Sequence, residues 1–185
     1  MHSTSGFIVS PDPIAHILLF ILCVVCIWTD IREQVIYDWA TIPAMVLGLG
    51  VAWVQGGTDS LVSSTVGGLV GFGTFGLLWY MGLIMSGDVF LMGAVGFLIR
   101  FPLVMWAMLY ASLLGVVVAV AWVAYHGQTR RVLSNFKKIF RRIWKKEPKE
   151  PLMETTPFPF GAAIAGGAIW AASMAYFPWL GLGLF

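Results

Sequence analysis

The chain has 185 residues and a formal net charge of +2, with 59% hydrophobic and only 11% charged side chains. Ordinary soluble domains carry about 25% charged residues. A water-soluble enzyme or nucleic-acid-binding domain is therefore excluded, and a polytopic membrane protein is expected.

Residues 1–12 form a short polar lead-in, with Pro11 and Pro13 at its end. No Lys or Arg precedes the first apolar run and no small-x-small cleavage site follows it. Segment one is thus expected to stay as a span rather than be removed as a signal peptide. A helix needs about 20 apolar residues to cross a bilayer. Apolar segments run over roughly 13–29, 39–55, 61–84, 88–101, 103–125 and 158–181. The fourth is cut short by Arg100 and Pro102, which leaves a short tilted span or a re-entrant element open. The expected fold is all-α, a single membrane-embedded domain over 1–185 with about six transmembrane helices.

Within segment one, Cys23 and Cys26 have C-x-x-C spacing. A structural zinc site takes about four ligands and no second pair exists, so two buried small side chains are expected. Gln55 to Ser60 makes a glycine-containing turn. Segment three carries Gly67, Gly68, Gly71, Gly73, Gly76 and Gly82. Gly67 and Gly71 have the small-xxx-small spacing that lets helix backbones approach closely. His2, His16 and His126 are too scattered for a metal site, and no cofactor is expected.

Residues 128–147 differ from the rest. Val132, Leu133, Phe136, Ile139, Phe140, Ile143 and Trp144 recur every three to four residues among Lys and Arg, up to Glu147-Pro148. This is a basic amphipathic helix, expected to lie in the membrane interface. Its charges over 130–149 would attract anionic lipid at about 1 kcal/mol each. The regular apolar face argues for membrane rather than nucleic acid. The helix reads as a topology anchor, or as a gate or docking surface for substrate.

Orientation follows from the cations. Of eleven Lys and Arg, Arg130, Arg131, Lys137, Lys138, Arg141, Arg142, Lys145, Lys146 and Lys149 share one connector. Arg32 falls on the same side and Arg100 alone falls opposite. The positive-inside rule makes the crowded side cytoplasmic, with both termini outside. Asp30, Asp38 and Asp88 then lie at cytoplasmic helix ends.

Carboxylates this close to hydrocarbon are costly and tend to mark function. Asp38 and Asp88 each begin an apolar segment, where an ordinary N-cap accounts for them equally well. Asp30 ends a helix, where the macrodipole disfavours negative charge. Brought together, Asp30 and Asp88 would divide acid and base roles on one water, because close like charges separate the two ionisations.

The wording around these residues resembles a known family. Asp30-Ile31-Arg32-Glu33-Gln34-Val35-Ile36-Tyr37-Asp38-Trp39-Ala40-Thr41-Ile42-Pro43 resembles the first catalytic motif of the type IV prepilin peptidases. Gly87-Asp88-Val89-Phe90-Leu91, followed by Gly93 and Gly96, is similar to the family's Gly-x-Gly-Asp element. Thr156-Pro157-Phe158-Pro159-Phe160-Gly161 resembles the family's proline-glycine lead-in to its last helix.

The resemblance implies that Asp30 and Asp88 are catalytic, that Gly87 supports them by leaving room beside Asp88, and that Asp38 is structural. It also implies a prepilin-like protein substrate and no cofactor. Met85 stands where the motif's first glycine would be, Phe90 where a lysine is usual, and Tyr37 where many relatives have proline. The cytoplasmic cysteine-containing domain of methylating members has no counterpart here. The compact size resembles the minimal peptidases of Tad/Flp-type pilus systems. Two other classes fit the residues: a non-catalytic assembly partner, and a small proton-coupled carrier. A carrier should hold its carboxylates near the bilayer midplane and often shows repeat symmetry, and no repeat is visible. Oligomeric state is not legible.

Overall fold

The computed structural model describes residues 12–125, Gly127 and 160–176. The amphipathic helix expected over 128–147 lies outside the described residues. The described part is helical: α1 (Pro13–Glu33), α2 (Asp38–Tyr80), α3 (Ser86–Ile99), α4 (Leu103–Tyr125) and α5 (Phe160–Met174). Three of these, α1, α2 and α4, are long and apolar enough to cross a membrane. Helices α3 and α5 have 14 and 15 residues, fewer than the about 20 a perpendicular span takes. The described residues thus hold five helices rather than the expected six spans, because segments two and three form one helix interrupted at Gly57.

The interruption is sharp. A straight helix of 43 residues would be about 65 Å long, about twice the hydrocarbon thickness. Gly57 has φ 59° and ψ −142°, a conformation that glycine alone adopts without strain. Contacts with α3 show where the two arms go. Gly48 in the first arm meets Phe97 and Leu98, while in the second arm Gly67 meets Gly96 and Gly71 meets Met92. The first arm thus runs parallel to α3 and the second antiparallel, so the chain doubles back at the expected turn.

Helix α3 is the centre of the bundle and touches all four other helices. Nine of its fourteen residues are buried, including Leu91, Met92, Val95 and Leu98, which explains an apolar character on every side. The glycines of the second α2 arm make this possible: a Cβ on Gly67 would lie 2.5 Å from the Gly96 carbonyl oxygen. Cys23 and Cys26 are buried in the same core. The outward faces are also apolar, as at Phe20, Ile21 and Val24 of α1 and Val116, Val117 and Val120 of α4. Water would solvate such faces poorly, whereas lipid suits them.

The polar anchors collect at the bundle's two ends. At one, the Arg100 guanidinium pairs with Asp12 at 2.5 Å and donates to the Ser60 hydroxyl at 3.3 Å. Ser63 donates to the Phe101 carbonyl at 2.8 Å, and the Phe101 N–H returns to Ser63 at 3.1 Å. The cation that departs from the charge bias of the loops is thereby paired. The other end holds the aspartates.

Candidate active site

Asp30 lies in the last turn of α1, which closes at Gln34 in the left-handed conformation (φ 55°), with the Gln34 N–H donating to the Asp30 carbonyl at 3.0 Å. Asp88 lies in the first turn of α3. The N-cap of α3 is Met85, three residues before the aspartate expected there. Asp88 instead occupies the third helical position, where its carboxylate accepts the Met85 N–H at 3.0 Å. That is the acidic half of a capping box.

The two aspartates line one cleft. Asp30, Gln34, Val35 and Ile36 on one side and Met85, Ser86, Gly87 and Asp88 on the other line a cleft of about 100 Å³, against the 10–15 Å³ or so that one water occupies. The aspartates are only 5% and 4% exposed. Arg32 does not line this cleft; its guanidinium lies 4.0 Å from the centre of the Trp28 ring.

The unfavourable placement of Asp30 has a partner the sequence reading did not assign. The first turn of α5 abuts it, and the Ala162 N–H donates to Asp30 Oδ2 at 3.0 Å. First-turn amides lack acceptors within their own helix, and the positive end of α5 offsets the negative end of α1 around this carboxylate. The available signal was the Pro-Phe-Pro-Phe-Gly run at 157–161. It marks a helix start, and a helix start is an anion seat.

Other expected residues fall as follows. Gly87 lines the cleft, but the space beside its Cα holds Ile36: a Cβ there would lie 2.9 Å from Ile36 Cβ. Asp38 is exposed in the first turn of α2 and does not line the cleft. Tyr37, not Asp38, is the N-cap of α2, and its hydroxyl donates to Glu33. Met85 lines the cleft and is 56% exposed. Phe90 packs edge-to-face on Phe72 of α2, ring centres 5.7 Å apart, so an apolar side chain suits that position. Among the described residues, no group of three or more His, Cys, Asp or Glu is placed to hold a metal ion.

Two buried carboxylates on a cleft with room for several waters can act as base and acid on one water molecule. Comparisons with curated proteins and with solved structures gave no match. The model of the type IV leader peptidase family (Peptidase_A24) matches residues 17–120, more than half of the chain and both aspartates. The chain belongs to the type IV leader peptidase family.

Proposed function

We propose that this protein is a membrane aspartic endopeptidase that removes the leader from prepilin-like proteins at the cytoplasmic membrane interface. One observation carries the reading: Asp30 and Asp88, from α1 and α3, are buried together on a single cleft at one end of an apolar bundle. One carboxylate takes a proton from water as its oxygen attacks the scissile carbonyl. The other gives a proton to the reacting amide, and the C–N bond breaks. Close like charges favour one shared proton over two ionised groups, which is the state this division requires.

The rest of the reading concerns setting. The protein resides in the cytoplasmic membrane with both termini outside and the aspartates facing the cytoplasm, as the cation distribution argues. The substrate has a short leader followed by a hydrophobic helix that lies in the bilayer beside the bundle. The basic stretch 130–149 binds anionic lipid. No metal or organic cofactor enters the reaction. The location of the aspartates at one helix end, away from the midplane, weighs against a carrier.

The test is co-expression with a Flp-type prepilin and determination of the pilin's N-terminus by mass spectrometry. Wild type should yield trimmed pilin. Asp30→Asn and Asp88→Asn, inserted to the same level, should leave it full length. Untrimmed pilin with inserted wild type, across several prepilins, would favour a non-catalytic assembly partner instead.

A further inference from the structure

We infer that Gly161, in the first turn of α5, is a positioning residue for cleavage: its missing side chain lets α5 close on the Asp30 carboxylate and hold it facing Asp88. The inference rests on the peptidase reading above. It concerns a helix that lies beyond the family match, which ends at residue 120.

Space at this position is the first argument. A Cβ on Gly161 would lie 2.9 Å from Asp30 Oδ2, 3.1 Å from Asp30 Cγ and 2.9 Å from Ile36 Cδ1. Ordinary carbon contacts sit at about 3.5–4.0 Å, so something must move. Ile36 Cδ1 is the end of a flexible side chain and can swing away. The carboxylate has no such freedom, because rotating it breaks the 3.0 Å bond from the Ala162 N–H.

Backbone conformation supplies the second. Gly161 lies in the first turn of α5, a conformation that alanine accepts. Alanine is the better helix former at such a position. Glycine at a site where alanine would stabilise the helix points to a spatial requirement.

Ile36 ties the two aspartates together. The same side chain stands 2.9 Å from a Cβ built on Gly87 and 2.9 Å from one built on Gly161. It is wedged between two glycines, one directly before Asp88 and one against Asp30. The cleft wall and both carboxylates therefore share a single fit, in which neither glycine has room for a methyl group.

The experiment uses full-length protein in lipid vesicles with a prepilin substrate, comparing wild type, Gly161→Ala, Ile36→Val and the double variant. A misplacement of about 1 Å can cost on the order of 10²-fold in rate. Gly161→Ala should lose that much in kcat with KM and thermal unfolding little changed. The double variant should be no faster than Gly161→Ala, because relieving the Ile36 contact leaves the clash with Asp30. Recovery to the Ile36→Val rate would overturn the inference by assigning the whole effect to Ile36. So would Gly161→Ala at wild-type rate. If Gly161→Ala does not fold, replacing the Ala162 amide by an ester decides instead. That change removes the N–H and keeps the shape, and full activity in the ester variant would sink the idea. A wild type that does not cleave ends the peptidase reading as well; a wild type that cleaves beside an equally active Gly161→Ala ends this inference alone.

Discussion

Asp88 is anchored by the Met85 amide three residues away, whereas Asp30 is anchored by an amide 132 residues away, at the far end of the chain. The first anchor forms as soon as α3 forms, because a capping box is local. The second exists only once α1 and α5 lie side by side. Both carboxylates end equally buried, yet one is positioned by a helix and the other by a fold. Disturbing the bundle should therefore displace Asp30 first.

The largest expected effect is the same on both sides. General acid–base groups contribute on the order of 10²–10⁴-fold. Asp30→Asn and Asp88→Asn should each lose at least that in cleavage rate, measured on equally inserted protein. Equal losses would show that different anchors serve one chemistry.

A second change sharpens the contrast. Gly167 of α5 lies against the backbone of α4, and a Cβ there would stand 2.7 Å from Ala111 Cα and 2.9 Å from the Ala107 carbonyl oxygen. Gly167→Val should lower stability by about 1–3 kcal/mol, the usual range for overfilling a packed core. It should also slow cleavage beyond what the unfolded fraction explains, because α5 carries the Asp30 anchor. Cleavage rate against thermal unfolding in the same detergent separates the two losses. Full specific activity in the folded fraction would break the proposed dependence on α5.

The opposite end of the bundle supplies the control. Removing one partner of a buried ion pair costs about 3–5 kcal/mol, and the Arg100–Asp12 pair, at 16% and 19% exposure, belongs at or below the bottom of that range. Arg100→Ala should therefore lower the melting temperature while leaving kcat per folded molecule near wild type. A specific fall in kcat would mean that the two ends are coupled.

The smallest effect lies at the exposed rim. Tyr37 donates to Glu33, and that carboxylate raises the phenol above its ordinary ionisation range. The sign follows: the bond is present at neutral pH and is lost only as pH rises through the raised value, above about 10. Tyr37→Phe should leave stability close to that of wild type, with no altered pH dependence between pH 6 and 8.

How much of this was legible depends on the range of the interaction. The glycine pattern of the third segment and the turn near 55–60 are local signals: they marked a close helix approach, whose partner α3 only the structure supplies, and the reversal at Gly57. Asp88 was legible as a helix-start carboxylate, displaced by three residues because Met85 rather than an acidic side chain takes the N-cap. The misfit of Asp30 at a helix end was also legible. Its remedy was not, because it lies in backbone amides, which leave no mark in side-chain wording. Gly87 shows the same limit: the need for glycine could be read, while its cause, the Ile36 side chain from the α1–α2 connector, is a tertiary contact. The shortness of α3 and α5 was only half visible, since apolar residues continue past the end of α5.

The most direct test is the cleavage rate, in vesicles, of wild type, Asp30→Asn, Asp88→Asn and the double variant. Groups acting as one unit are far from additive. A shared site predicts that each single change removes nearly all activity and that the double variant is no slower than either. Losses that multiply, or substantial activity in either single variant, would mean that the two aspartates do not act on the same water.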